Sequence, residues 1–239
     1  MNKKYGSLTL IPTPISEQGG LTAETIQKIL AILKLDQHQV ICEEPKASRR
    51  RWLRYGLPRE EIEQFEYFNE HNASNGKNLD HIISRLKKGT EYLLFSDCGL
   101  PGFCDPGQEL VSRCHDHHVR VRSTTFYSSP ILALALSGFG DRHLFHGFLA
   151  KDRNQRKKEI NQIINKVETT IIMDTPYRLN RTMMEFKEEE VKNNRQNSYF
   201  IGINLNEVNE LCLRGSINQI IDIVGTRKDP FILIKQGKV

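Results

Sequence analysis

The stretch Ser96-Asp97-Cys98-Gly99-Leu100-Pro101-Gly102-Phe103-Cys104-Asp105-Pro106-Gly107 puts three glycines, two prolines and two aspartates into twelve residues. Glycine admits positive φ and lets a ligand approach the main chain, while proline fixes φ, so such a run specifies an unusual and rigid backbone. Amides exposed in this way suit the carboxylate and polar edges of a small cofactor. The spacing is neither G-x-G-x-x-G nor G-x-x-x-x-G-K-[ST], which removes support for nicotinamide and nucleoside-triphosphate chemistry. Taken alone, the run is equally compatible with a rigid surface turn in which Asp105 caps the helix that follows.

Carboxylates are the other groups able to do chemistry. Glu43, Glu44, Asp97 and Asp105 fall at expected strand ends or within the glycine-proline loop. Of these, Glu44 and Asp105 are the first candidates to orient a hydroxyl or handle its proton, and Arg178 to hold a phosphate or carboxylate. Each has a plain alternative: Asp105 as a helix cap, Glu44 paired with Lys46 or an arginine. Cys114-His115-Asp116-His117-His118 has ligand-type residues, but adjacent side chains cannot all converge on one tetrahedral ion, so no metal site is expected there. Cys98 and Cys104 read as small loop-packing residues.

These groups need strands and helices to hold them. Leu8 to Ile11 is a short β-type run, followed by Ile26, Ile29, Leu30 and Leu33 at the spacing of one helix face. Val40 to Cys42 is the next strand candidate, and a basic helix with Trp52 and Leu53 follows, stopping at Gly56. Leu79, Ile82, Ile83 and Leu86 predict another helix, ended by Lys87-Lys88-Gly89. Tyr92 to Phe95 is a continuous apolar run, as a strand covered on both faces requires. The glycine-proline loop thus follows a buried strand and precedes a helix over 107–117, with Pro106 at its first position, which is where ligands bind in a parallel sheet. Val119 to Val121 reads as a strand and Ile131 to Leu136 as a buried helix.

Alternating strands and helices predict a mostly parallel α/β domain over residues 1–137, with Ser137 to Gly140 as a hinge. Beyond it, residues 138–239 predict strands near 144–148 and 169–173, helices near 156–167 and from Leu179, and a direct hairpin of 199–205 with 210–214. That hairpin makes the second sheet mixed.

A net charge of +5 leans toward a polyanionic partner, and its distribution says more. Arg49, Arg50, Arg51 and Arg54 crowd one segment; Lys151, Arg153, Arg156, Lys157 and Lys158 crowd another. Both fit solvated helix faces or a nucleic-acid surface. Five cysteines with no regular framework and no secretory leader point to a reduced, cytoplasmic setting, and the longest strongly apolar run, Ile131 to Leu136, is too short to span a membrane.

The glycine-proline loop resembles the S-D-A-G-T-P-x-x-S-D-P-G motif of the ribosomal small-subunit RNA 2′-O-ribose (cytidine) methyltransferases, within the tetrapyrrole methylase superfamily. The likeness runs without gaps from Phe95 to about Leu149, through His118-Val-Arg-Val121, Ser128-Ser129, Ser137-Gly138 and Arg142 to Leu149. Leu10-Ile-Pro-Thr-Pro-Ile15 resembles the family's V-P-T-P-I, Cys42-Glu-Glu-Pro-Lys46 its A-E-D-T-R, Asn69 to Asn72 its H-N-E, and Met173-Asp-Thr-Pro-Tyr-Arg-Leu179 its F-Y-E-S-P-H-R-L. About four-fifths of the chain is covered.

The resemblance implies two α/β domains of tetrapyrrole methylase type, S-adenosyl-L-methionine bent in the cleft between them, and a homodimer acting on ribosomal RNA or the small subunit. By position the cofactor would touch Pro14, Ile15, Ser96, Asp97, Gly99, Leu100, Pro101, Phe103, Ser128, Ser129, Met173 and Pro230, mostly through backbone atoms. Three departures stand out: Leu100 replaces the Thr of G-T-P, Thr125-Phe-Tyr127 replaces P-G-P, and Ile203-Asn-Leu-Asn-Glu207 replaces R-E-L-T-K. They keep open a tetrapyrrole or other small acceptor, and a non-catalytic RNA-binding or regulatory role.

Overall fold

The computed structural model describes residues 5–16, 18–68, 76–104, 107–126, 128–140 and 142–237. Asn69 to Asn72, Asp105, Pro106 and Tyr127 therefore lie outside the described residues. Two compact units divide between Phe126 and Tyr127.

The first unit holds strands β1 (Ser7–Ile11), β2 (His38–Cys42), β3 (Glu66–Tyr67), β4 (Glu91–Phe95) and β5 (Arg120–Ser123), in the order β3-β2-β4-β1-β5. All pairs are parallel. Helices α1 (Ala23–Leu33) and α2 (Pro45–Arg54) cover one face, where Ile29 and Trp52 meet Ile11, Val40, Leu93 and Phe95. On the other face lie α3 (Gly76–Lys87) and α4 (Gln108–Asp116), whose Leu79, Ile83, Leu86 and Leu110 meet Leu8, Tyr92 and Leu94. Alternate residues of β1 and β4 thus feed two separate cores, as the period of two demands. After β1 the chain moves toward β2 and after β4 toward β5, so neighbouring strands send their connections to opposite sides. That is a topological switch point, which opens a crevice at the carboxyl edge.

The second unit holds α5 (Ser129–Ser137), β6 (His143–Phe148), α6 (Arg153–Asn165), β7 (Thr169–Asp174), α7 (Leu179–Lys192), β8 (Tyr199–Ile203), β9 (Leu211–Gly215), α8 (Ile217–Val224) and β10 (Phe231–Lys235). Its sheet runs β6-β7-β10-β8-β9, with β6 parallel to β7 and every other pair antiparallel. The expected hairpin is β8–β9, in register from Tyr199 opposite Gly215 to Ile203 opposite Leu211. The mixed sheet follows from it.

Four expectations need correction. Helix α5 packs Ala133 against Ile171, Phe200 and Ile234, so it belongs with the second sheet and the division falls before it rather than after Ser137. It is not a buried helix, since Ile131 and Leu136 are about half exposed. Helix α4 begins at Gln108, with Gly107 as its cap at φ 112°. Finally, Arg51 and Arg156, read with the basic surface segments, are both buried.

Arg156 is held by carboxylates. Its Nη2 donates to Asp174 Oδ2 at 2.5 Å and to Thr182 Oγ1 at 2.7 Å, and its Nε to Glu185. Thr182 Oγ1 donates in turn to Asp174 Oδ2 at 2.7 Å. The network ties α6 and α7 to the end of β7. Breaking a buried ion cluster by removing one partner typically costs 3–5 kcal/mol, because the remaining charges stay desolvated. Arg156→Met is therefore expected to lower unfolding free energy by about 3–5 kcal/mol in urea titration; a loss below about 1 kcal/mol would show that the network carries no such burden.

Candidate functional site

The loops that leave β1 and β4 meet at the crevice. Thr13 and Gly99 form an isolated antiparallel bridge, each amide donating to the other's carbonyl at 2.9 Å. Thr13 Oγ1 donates to the Ser96 carbonyl at 3.1 Å, and Ser96 Oγ to the Gly99 carbonyl at 2.8 Å. The bridge needs a reversal within four residues of β4, which Gly99 supplies with φ 86°. A Cβ built on Gly99 would meet nothing within 4 Å, so the outer side of this turn is open. Gly107 is different: at φ 112° its added Cβ would lie 2.9 Å from Leu94 Cδ2, in the core under the loop.

Helix α2 braces both loops. Glu44 caps it by accepting from the Lys46 amide at 3.2 Å, and Pro45 starts it. Trp52 anchors its inner face, edge-on to Phe65 and Phe95 and donating to the Pro58 carbonyl at 2.6 Å. From that face Arg51 reaches the carbonyls of Pro14 at 2.8 Å and Ile15 at 3.4 Å. Ser48 Oγ donates to Asp97 Oδ1 at 3.1 Å, and the Asp97 amide donates to Glu43 Oε2 at 2.8 Å. A small cavity between the helix and the loop roots is lined by Thr13, Cys42, Ser48, Arg51, Trp52, Tyr55, Phe95 and Ser96.

Asp97 sits among other carboxylates. Burial pushes the Asp97 carboxyl above its ordinary value of 3.8; the charges of Glu43 and Glu44 push the same way, opposed by hydrogen bonds from Ser48 and the Glu44 backbone. Glu43 Oε1 is buried with no hydrogen-bond partner. Burial lifts the Cys42 thiol to about 12, so it is a protonated core side chain and not a nucleophile. The unpartnered Glu43 oxygen and the Asp97 carboxylate, beside an open glycine turn, suit a ligand rich in hydrogen-bond donors or carrying positive charge.

The expected site residues fall into two groups. Pro14, Ile15, Ser96, Asp97, Gly99, Leu100, Pro101 and Phe103 lie on the two bridged loops of the first unit, and Glu44 stands beside them as the α2 cap. Asp105 lies outside the described residues. In the second unit, Met173 faces Ile232 across β7 and β10, and Pro230 directly precedes β10, its carbonyl accepting from the Asn204 amide at 3.0 Å. Met173 and Pro230 thus share one sheet edge, at the end of β7 and the start of β10. Ser128 and Ser129 begin α5, and Arg178 sits 3.9 Å from Asp174 Oδ1 with its guanidinium over Tyr177.

Sequence reasoning missed the bracing role of Ser48 and Arg51. The signal was the spacing: residues 48, 51, 52 and 55 share the helix face that Trp52 buries.

No family model matches the chain. Ribosomal RNA small subunit methyltransferase I of Rickettsia prowazekii is 28% identical over 235 residues, covering 97% of this chain and 79% of that protein. The protein of the same name from Mesomycoplasma conjunctivae is 27% identical over 241 residues, covering 100% and 93%. Among solved structures, a diphthine synthase covers 97% of this chain and 90% of its own with a TM-score of 0.60 at 9% identity. Uroporphyrin-III-C-methyltransferase from Thermus thermophilus covers 97% and 94% with a TM-score of 0.54 at 12% identity. At these identities the structural likeness is one of fold.

The two glycines make separable predictions. Gly107→Ala is expected to cost about 1–3 kcal/mol from backbone strain plus the contact with Leu94, and Gly99→Ala less, since only φ opposes it. Urea unfolding of both variants checks the ranking, and equal losses would remove Leu94 from the account.

Proposed function

We propose that this chain, a divergent member of the tetrapyrrole methylase superfamily and hence a methyltransferase, moves a methyl group from S-adenosyl-L-methionine to small-subunit ribosomal RNA at a ribose 2′-oxygen. The observation that carries the reading is the Thr13–Gly99 bridge, which joins the P-T-P and glycine-proline loops at the switch point of the parallel sheet. The near full-length similarity to proteins named for small-subunit ribosomal RNA methylation supports the acceptor. The same reading makes the protein a cytoplasmic homodimer.

When bound, the cofactor supplies a sulfonium methyl open to in-line displacement. The chain's own residues would hold it through the backbone of Pro14, Ile15, Ser96, Gly99, Leu100, Pro101 and Phe103. Asp97 would accept hydrogen bonds from its donor groups, a task for which Ser48 and Glu43 already orient that residue. Glu44 and Asp105 are assigned to orienting the acceptor hydroxyl or taking its proton, and Arg178 to a substrate phosphate. Leu100 does not disturb this scheme, because the backbone and not its side chain makes the contact.

Two measurements test the reading. Calorimetry should detect S-adenosylmethionine binding to the wild type, and mass-spectrometric mapping of small-subunit ribosomal RNA from a deletion strain should show one methylated ribose lost. Cofactor binding with an unchanged map would shift the acceptor to a small molecule; no binding at millimolar cofactor would leave a non-catalytic relative.

Asp97 adds a trade-off. Because its carboxyl is raised in the folded protein, the native state holds that proton more tightly than the unfolded chain, and stability falls as pH climbs above about 3.8. Asp97→Asn is expected to raise the melting temperature at neutral pH while weakening cofactor binding roughly ten- to a hundredfold, the worth of a hydrogen bond to a charged group. A variant that loses stability, or that binds cofactor as well as the wild type, contradicts the assignment.

A further inference from the structure

Helix α2 has a second face. Lys46, Arg49, Arg50, Leu53 and Arg54 all lie on the side opposite Ser48, Arg51 and Tyr55, and all five are exposed. The ten residues Pro45–Arg54 contain five cations and no acid. Lys46, Arg49 and Arg54 make no ion pair with a described residue. Three cations on other helices of the unit are paired: Arg113 with Asp80 at 2.6 Å and Glu109 at 3.4 Å, Arg85 with Glu66 at 2.9 Å, and Lys28 with Glu24 at 2.7 Å.

The helix starts at the site. Its cap, Glu44, adjoins Asp97, so Lys46 lies within one turn of the bridged loops, and the remaining cations follow at about one per 5.4 Å turn. A polyanion whose reacting group sat at the loops would meet this row of charges as it left them. Arginine is suited to phosphate, being permanently charged and able to donate two parallel hydrogen bonds. Leu53 is the single large apolar side chain on the face, too little for insertion into a lipid surface, which needs a continuous apolar stripe.

We propose that the outer face of α2, carrying Lys46, Arg49, Arg50 and Arg54, is the track along which the phosphates of an RNA substrate lie. This rests on the RNA reading given above. One helix then performs two tasks: its inner face fixes the cofactor loops and its outer face sets the path of the RNA into them.

The test measures binding of labelled small-subunit ribosomal RNA to the full chain as salt is varied. The variant Lys46→Gln/Arg49→Gln/Arg54→Gln should bind roughly 10- to 100-fold more weakly near physiological salt, and its log–log salt slope should shrink by about 2, some 0.7 per lost phosphate contact. Its cofactor affinity and urea midpoint should match the wild type. The charge-conserving Arg49→Lys/Arg54→Lys should keep the slope, and Lys151→Gln/Arg153→Gln/Lys158→Gln, around the start of α6, should lose far less. If the α2 variant keeps wild-type affinity and slope while the wild type binds and methylates RNA, the track is wrong and the function stands. If the wild type neither binds nor methylates RNA, both fall. Tighter wild-type binding to phosphatidylserine vesicles than to RNA would also overturn the track.

Discussion

Parallel strands β1 and β4 run side by side with Ile11 beside Phe95, yet the residues just beyond them, Thr13 and Gly99, pair antiparallel. One loop must therefore double back at once, against the usual stiffness of the chain. The left-handed Gly99 permits this, and the Ser96 hydroxyl closes the turn by donating to the Gly99 carbonyl. The two reciprocal hydrogen bonds of the bridge leave the amides of Thr13 and Gly99 satisfied, so the loops are pinned without a ligand. Everything else in the first unit's site is arranged around that pin. Glu43 and Ser48 hold Asp97 two residues before it, and Arg51 holds Pro14 and Ile15 directly after it.

Both units bury an arginine, and they hold it differently. Arg156 is neutralised by Asp174 and Glu185, whereas Arg51 donates to main-chain carbonyls and the Tyr55 hydroxyl. A buried ion pair adds little net stability against an apolar core, but it is costly to disarrange, so it serves to fix geometry. The carbonyl-held guanidinium does something narrower. It offers several donors from one rigid plane to two successive peptide groups, and so fixes the direction of a short loop that has no secondary structure of its own.

Most of the frame was legible in sequence, because it rests on local patterns. The run Tyr92 to Phe95 is apolar throughout, since both faces of β4 are covered, and the α3 stripe at 79, 82, 83 and 86 is buried as its period requires. Arg156 was readable too. It precedes Ile160, Ile163 and Ile164 at i+4, i+7 and i+8, on the core face of α6, but the basic residues around it masked the period. Helix α8 carried a capping box, Ser216 with Gln219, which would have marked its start, although no helix is expected there in the sequence analysis. The short strand β3 and the 3-10 helix Arg59–Gln64 had no such signal, because they depend on pairing with β2 and packing beneath Trp52. The bracing of the loops was illegible for a similar reason: Ser48 and Asp97 are far apart in the chain, and no local pattern reports a contact between them.

Backbone contacts and side-chain contacts constrain sequence unequally. On the proposed reading, a loop that grips through its peptide groups would tolerate Leu100, provided Gly99 and Gly107 keep their conformations. What such a loop cannot tolerate is movement, and its position is set from outside, by Arg51 and Ser48 on α2. The constraint then falls on the residues that hold the loops as well as on those that would touch a ligand, and they sit on a helix whose opposite face is exposed. A change of partner can then be made on the outer face of α2 without disturbing the loops, because the two sets of side chains share the helix axis and little else.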